Sequence, residues 1–475
     1  MTDLISTAVG GQIVACNDEF FAEAANLLKP TAPVSNDDYT DRGKWMDGWE
    51  TRRRREPGHD WCVIALGIPG AIGSVTVDTS YFTGNYPEAF SLDACGLGLE
   101  EDLGKASWVE IIPRTELAGD TTATFPVDDP HRVSLVRLNI YPDGGVARLR
   151  VEGRPIPAQD VVCPDKDNVD LVSALVGGEA VEASDVHYSL PSNMLRPTEP
   201  AGMWDGWETK RRRGPGNDWA SFRLGLPGLV ESVVVDTRFF KGNSPGWVSV
   251  RVSEDGDTWN EIVTRARVSP DSINISWFEP VAAAYLRLDI HPDGGVARLR
   301  VNGRAHPQAA AARRVEYLNA LFDGEARHFF RTACGAAAWV EAMVSSRLFS
   351  DPEAVLSAAD GAFGGLLEED WLEAFSAHPR IGERGDAVTN REQAGAAGAP
   401  NLAMEALDEV NRAYEERNGF TYIVYATGKS AEEMLDIARR RLGNTREKEL
   451  EIAAGEQRAI TETRLRRMLC MEMTS

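Results

Sequence analysis

Two tandem β-sandwiches followed by an all-helical domain is the architecture that this sequence predicts, on three observations. A motif is stated twice. Asp47-Gly48-Trp49-Glu50-Thr51-Arg52-Arg53-Arg54-Arg55 with Gly58-His59-Asp60-Trp61 returns as Asp205-Gly206-Trp207-Glu208-Thr209-Lys210-Arg211-Arg212-Arg213 with Gly216-Asn217-Asp218-Trp219, every position displaced by 158. Identity across arginines, tryptophans and acids cannot come from a shared apolar pattern, so a domain has been duplicated. Around these motifs the text is short runs of period-two alternation punctuated by Gly, Pro, Asn and Asp, the pattern of antiparallel strands in a sandwich. After Arg304 the apolar spacing changes to three and four with many alanines, the pattern of helices. The expected domains are 1–160, 161–308 and 312–475.

Taken in order, copy one opens with Asp3-Leu4-Ile5-Ser6 and Val9-Gly10-Gly11, and copy two with Asp170-Leu171-Val172-Ser173 and Val176-Gly177-Gly178. Runs such as Trp61–Leu66, Ser74–Val77, Val133–Ile140, Val233–Val235, Val248–Val252 and Tyr285–Ile290 read as strands. The copies close on Tyr141-Pro142-Asp143-Gly144-Gly145 and His291-Pro292-Asp293-Gly294-Gly295, tight-turn signals between strands, at an offset of 150. The middle of copy one is therefore eight residues longer, between Asp93 and Asp128. Asp78 and Asp236, each before a threonine, suit turn caps, and Trp49, Trp61, Trp207 and Trp219 suit core or pocket walls. In the last domain Asp351-Pro352 and Ser430 before Glu433 mark helix starts, and Asn418-Gly419 and Leu442-Gly443-Asn444 mark stops.

The net charge of −23 argues against nucleic acid, although the run Arg52–Arg55 can set a positive potential in a cleft. No stretch of some 18 apolar residues occurs, so a soluble, cytoplasmic protein is expected without a membrane partner. Six scattered cysteines (Cys16, Cys62, Cys95, Cys163, Cys334, Cys470) suggest reduced thiols, and seven histidines with no HxH or HxxxH pair suggest no zinc site. No metal and no cofactor is expected, and a homo-oligomer is left open.

The doubled Asp-Gly-Trp-Glu-Thr-Arg/Lys-Arg-Arg-Arg motif, Gly-His/Asn-Asp-Trp, Val-Asp-Thr (76–79 region and Val235-Asp236-Thr237) and Gly84-Asn85-Tyr86-Pro87 resemble the allantoicase family, over residues 3 to 305. The resemblance implies two jelly-roll, galactose-binding-like sandwiches and the hydrolysis of allantoate to ureidoglycolate and urea. Allantoate is a carboxylate on a carbon bearing two ureido groups. Its site needs a guanidinium for the carboxylate, acceptors for ureido N–H groups, and an acid and a base for urea loss. Asp47, Glu50, Arg53, His59 and Asp60 supply these types in copy one, beside Arg52 and Arg54; Asp205, Glu208, Arg211 and Asp218 supply them in copy two. An arginine run beside acids also suits a surface ion-pair lattice. Because Asn217 replaces His59, either the imidazole is dispensable or only one copy is catalytic.

Ala377-His378-Pro379-Arg380-Ile381-Gly382, Thr389-Asn390-Arg391-Glu392-Gln393 and Asn418-Gly419-Phe420 form a second signature, which resembles the decarboxylase of 2-oxo-4-hydroxy-4-carboxy-5-ureidoimidazoline (OHCU) over residues 313 to 469. The resemblance implies an all-α enzyme without cofactor that yields (S)-allantoin. It assigns His378, Glu392 and Arg464 as catalytic and Pro379, Thr389, Gln393, Ile423, Tyr425 and Thr427 as substrate-binding. Thr421 and Asn418 depart from the common residues there. Independently, Leu450, Ala453, Gln457, Ile460, Arg464 and Met468 share one helical face, which turns Arg464 inward. The substrate's own ring can accept the electrons of the breaking C–C bond, so the protein need only orient, exclude water and move a proton.

The expected protein is thus a bifunctional purine-catabolic enzyme acting on allantoate and OHCU. The alternative is a carbohydrate-binding module tethered to an active decarboxylase, since galactose-binding-like sandwiches often only bind.

Overall fold

The computed structural model describes residues 2–96, 103–162, 168–378 and 401–471. Its contacts divide the chain into two units, one up to Phe322 and the other from Asp323. The first holds both sandwiches and the second is helical, so the fold class follows the sequence pattern.

Each sandwich is built on one long bent strand, Asp60–Asp78 in copy one and Asp218–Asp236 in copy two. Its first half pairs with Val133–Tyr141, with Trp61 opposite Asn139, and its second half with Arg148–Pro155, with Val77 opposite Leu149. The sequence pattern separates Trp61–Leu66 from Ser74–Val77, whereas the structure runs them together through Gly67 to Gly73. A Cβ on Gly67 would stand 2.4 Å from the Val9 carbonyl oxygen, so only glycine lets the strand bend past the N-terminal loop. Ala89–Cys95 and Val109–Glu116 extend the antiparallel sheet beyond Val133–Tyr141. In copy two one strand, Ile273–His291, takes the places of both Thr122–Pro126 and Val133–Tyr141.

Alternation along these strands sorts the side chains into two faces. Cys62, Ile64, Phe90, Leu92, Val136, Leu138 and Ile140 point inward and are fully buried, with Trp49 beneath them. Each larger side chain so buried contributes about 1.5–3 kcal/mol. The offset between copies is 158 at Leu92 and Val250 but 151 at Ile112 and Val263, cross-strand partners in their own copies. Seven of the eight extra residues of copy one therefore lie between Ala89–Cys95 and Val109–Glu116. Between those two strands Leu103, Ala106 and Trp108 pack on Ala65, Cys95 and Leu135 of the outward face.

Helix α1 (Pro307–Ala320) belongs to the first unit, where Arg313 donates to the carbonyls of Val176 and Gly225. The second unit consists of α2 (Asp323–Ala333), α3 (Ala337–Ser345), α4 (Pro352–Phe363), α5 (Glu368–Ser376), α6 (Asn401–Asn418), α7 (Ala431–Arg441) and α8 (Arg446–Met468). Asp351 caps α4 through the Ala354 N–H, and Ser430 and Glu433 cap each other at α7, as the sequence predicts. An aromatic series, Phe330, Trp339, Phe363, Trp371, Phe375, Phe420 and Tyr414, forms its core.

Candidate functional site

The repeated motif closes one pole of each sandwich. Thr51 exchanges hydrogen bonds with Gly144, its N–H reaching the glycine carbonyl and its Oγ1 accepting the glycine N–H, both at 3.1 Å. Asn85 donates to Glu50 Oε1 at 2.7 Å, and the Arg54 N–H donates to Asp143 Oδ2 at 2.8 Å. Arg54 Nη1 reaches Asp60 Oδ1 at 2.7 Å, beside Asn17 Nδ2 at 2.9 Å. Copy two repeats the plan with Asn243 on Glu208 at 2.6 Å, the Arg212 N–H on Asp293 at 2.7 Å, and Arg212 paired to Asp218. In both copies the arginine Nε (Arg54, Arg212) is buried without an acceptor. Burial raises the Glu50 carboxyl above its ordinary range, and the Asn85 hydrogen bond opposes this.

Asp47 and Asp205 stand apart from this arrangement. Asp47 accepts Lys29 Nζ on Oδ1 at 2.8 Å, and Arg148 Nη2 at 2.6 Å and the Val34 N–H at 3.1 Å on Oδ2. Burial pushes its pKa up, but the Arg148 and Lys29 hydrogen bonds prevail and hold it below the usual range. In copy two Asp205 accepts from Arg298 and from Arg196. Arg53 and Arg211 are exposed, with no carboxylate at ion-pair distance among the described residues. Arg52 instead pairs with Asp18 at 2.6 Å. Trp49 and Trp207 are core, each donating its indole N–H to a backbone carbonyl, of Asp18 and Asp185. Trp61 and Trp219 lie half-buried on the outward face.

From the pole the outward face runs down four strands. In copy one His59 packs 4.7 Å from Tyr141, whose hydroxyl lies 3.0 Å from Ser91 Oγ. Asn139 bridges Ser91 and Asp93, and Arg137 binds Asp93 through Nε and Nη2. Arg114 lies over the Tyr141 ring at 4.5 Å, and a concavity of about 430 Å³ opens there among Tyr86, Glu88, Ala89, Arg114, Glu116 and Leu117. Sequence reasoning missed Arg114, Glu88 and Glu116, which lie outside the doubled pole motif. Copy two carries Asn217 on Asp289 at 3.0 Å, His291 beside Ser249 at 3.3 Å, and Arg287 over Trp219 at 4.1 Å.

In the helical unit, His378 ends the turn after α5, its N–H on the Phe375 carbonyl at 3.1 Å and its ring half-buried. The corner between α2 and α3 touches its neighbour: a Cβ on Gly335 would stand 2.4 Å from the Ala377 Cβ. Cys334 in that corner feels the Arg464 charge, although burial dominates and pushes its thiol up to about 11. The corner thus touches Ala377 and lies within reach of the Arg464 charge. Arg464 is half-buried on α8, on the face with buried Ala453, Gln457 and Ile460. Tyr425 lies along the same helix, its N–H on Glu456 at 2.6 Å and its hydroxyl accepting from Thr463 at 3.1 Å. The Ile423 carbonyl accepts Arg441 Nη1 at 2.8 Å, and Thr427 is half-buried two residues beyond Tyr425. Pro379, Thr389, Glu392 and Gln393 lie outside the described residues.

Among the described residues no three His, Cys, Asp or Glu side chains converge as metal ligands, and no helix is long and apolar enough to cross a membrane. Cys16, Cys62, Cys95, Cys334 and Cys470 are free thiols.

A duplicated sandwich with an acid-, amide- and guanidinium-bearing pole, joined in one chain to a helical unit, defines a multidomain enzyme. Comparison with known proteins gives its kind. The allantoicase repeat model matches residues 2–156 and 169–306, and the OHCU decarboxylase model matches residues 319–466. A probable allantoicase of Pseudomonas fluorescens is 42% identical over 318 residues, covering 64% of this chain and 96% of that protein. One of Acinetobacter baumannii is 39% identical over 323 residues, covering 64% and 94%. The crystal structure of allantoicase from Saccharomyces cerevisiae superposes with a TM-score of 0.55 at 36% identity, covering 64% of this chain and 92% of that one. The chain belongs to the allantoicase family, and it carries an OHCU decarboxylase domain after the two repeats.

Proposed function

We propose that this protein hydrolyses allantoate to ureidoglycolate and urea with its sandwiches, and decarboxylates OHCU to (S)-allantoin with its helical unit. What carries the reading is the presence in one chain of two allantoicase repeats and an OHCU decarboxylase segment, each matched across nearly all of its unit. The pole geometry supports the first reaction. Glu50, held by Asn85, and Asp60, held by Arg54, fix carboxylates beside exposed guanidiniums, the group types that the reaction needs. For the second, His378 is the proton carrier at neutral pH, partnered by Glu392, while Arg464 holds the substrate's negative charge. The carbohydrate-module alternative is not favoured, because the allantoicase match spans both sandwiches.

Both substrates are small anions, and free thiols among the described residues support a cytoplasmic setting. The product of the decarboxylase must have its ring opened before the sandwiches can use it, so the two sites flank a step that neither performs. The test is urea release from allantoate by the purified full-length chain, with ureidoglycolate followed in the same sample, and (S)-allantoin formation from freshly made OHCU. Absence of urea release under all conditions, with the decarboxylase active, would remove the first half of the proposal.

A further inference from the structure

The two copies differ where copy one has its concavity. Across three strands, Tyr141, Ala89 and Glu116 are direct cross-strand neighbours and so share the outward face. Arg114, two residues before Glu116, lies over Tyr141, and no carboxylate comes within ion-pair distance of it among the described residues. Glu88 and Glu116 line the same hollow. In copy two the matching row is His291, Trp247 and Arg267. Trp247 thus stands where Ala89 does, with Arg265 at 5.9 Å from its ring, and Gly246 replaces Glu88. A second difference lies further along the same face, where Arg137 sits over the Trp108 ring at 4.9 Å but its counterpart Arg287 sits over Trp219 at 4.1 Å.

We infer that allantoate binds in the first sandwich alone, in the hollow beside Arg114, with the guanidinium taking the substrate carboxylate and Glu88 and Glu116 accepting ureido N–H groups. This rests on the allantoate reading above. An unpaired guanidinium placed over a tyrosine ring, 4.5 Å from its centre, is pre-oriented for a carboxylate, and two carboxylates in the same hollow suit a ligand with an anion at one end and N–H donors at the other. Copy two has the guanidinium but neither acid, and an indole fills the floor. The second sandwich keeps its pole for folding and does not turn over substrate.

The experiment uses full-length protein and follows urea release over a range of allantoate concentrations, with OHCU decarboxylation as the internal control. Arg114→Gln should raise KM about 10- to 100-fold, the loss of a charge-assisted pair, with kcat changed far less. Arg114→Lys should recover only part of this, because a point charge lacks the planar fork. Ala89→Trp, which imports the floor of copy two, should raise KM similarly. Arg265→Gln should stay within about twofold of wild type, since copy two lacks the site, and every variant should keep its decarboxylase activity. Wild-type turnover with Arg114→Gln unaffected, or with Arg265→Gln as damaging as Arg114→Gln, overturns the inference. A wild-type protein that never releases urea overturns the underlying reading instead.

Discussion

Arg148 and Asp47 are joined inside the first sandwich, Nη2 to Oδ2 at 2.6 Å, and Arg298 and Asp205 repeat the bond at 2.6 Å in the second. Arg148 also donates to the carbonyls of Thr31, Asp47 and Ala147, so it ties the motif loop to the closing strand. Both partners are almost wholly buried. Asp47→Ala would leave that guanidinium charged without its carboxylate, which costs about 3–5 kcal/mol. The expected result is a lower guanidinium chloride midpoint for Asp47→Ala, with urea release per folded molecule retained at low temperature. An unchanged midpoint with lost turnover would instead put Asp47 on the substrate.

Glu449 plays the corresponding part in the helical unit. It is fully buried and accepts Tyr414 Oη at 2.5 Å, Arg441 Nε at 2.9 Å and Asn444 Nδ2 at 2.5 Å, while Arg441 holds the Ile423 carbonyl. The network fixes the start of the segment from Ile423 to Thr427 from behind. Glu449→Ala should destabilise this unit by about 3–5 kcal/mol and impair OHCU decarboxylation, leaving urea release intact. Equal thermal stability of variant and wild type would show that the network is not what holds the segment.

How much of this was legible depended on whether a residue's partners lie near it in sequence. Asp78 and Asp236 accept the N–H two residues on, from Ser80 and Arg238, and such local caps were readable. The doubled motif marked both poles, because Arg54 bonds to Asp60 within it and Glu50 and Arg54 bond to the equally repeated Asn85 and Asp143. Arg148 lies in an alternating run, but alternation alone says nothing about a buried guanidinium whose partner stands 101 residues away. Arg114 was invisible for the same reason. It meets Tyr141 only because two strands flank Ala89–Cys95, and it lies outside the doubled motif that marks the poles. The insertion was bounded by the offsets, but its placement needed the strand registers.

The raised Glu50 carboxyl gives a pH prediction. If turnover needs ionised Glu50, urea release falls as pH drops through its pKa, which burial sets above the ordinary glutamate value. Asn85 donates to the carboxylate and favours the charged form. Asn85→Ala should therefore move the acid limb of the rate profile to higher pH. The stability effect has a definite sign as well. The folded state holds this proton more tightly than the unfolded chain, so Glu50 contributes most below the unfolded pKa and loses that contribution as pH rises through the folded one. Glu50→Gln should remove this slope from the pH dependence of unfolding. An acid limb unmoved in Asn85→Ala would show that another group titrates.

His378 tests whether the two activities are separable. Its ring is half-buried after α5, and its neighbour Ala377 abuts the corner whose Cys334 feels the Arg464 charge. Asparagine at this position keeps polarity and approximate size but has no group that titrates near neutrality. His378→Asn should lower OHCU decarboxylation by at least the 10²–10⁴-fold typical of a lost proton carrier, roughly, while urea release from allantoate stays at the wild-type rate. Because the chemistry of one substrate neither supplies nor consumes the other directly, the allantoate rate is an internal measure of folded protein in the same tube. Loss of both activities in a variant that melts like wild type would mean that His378 serves the sandwiches too, and the two sites would have to be treated as coupled.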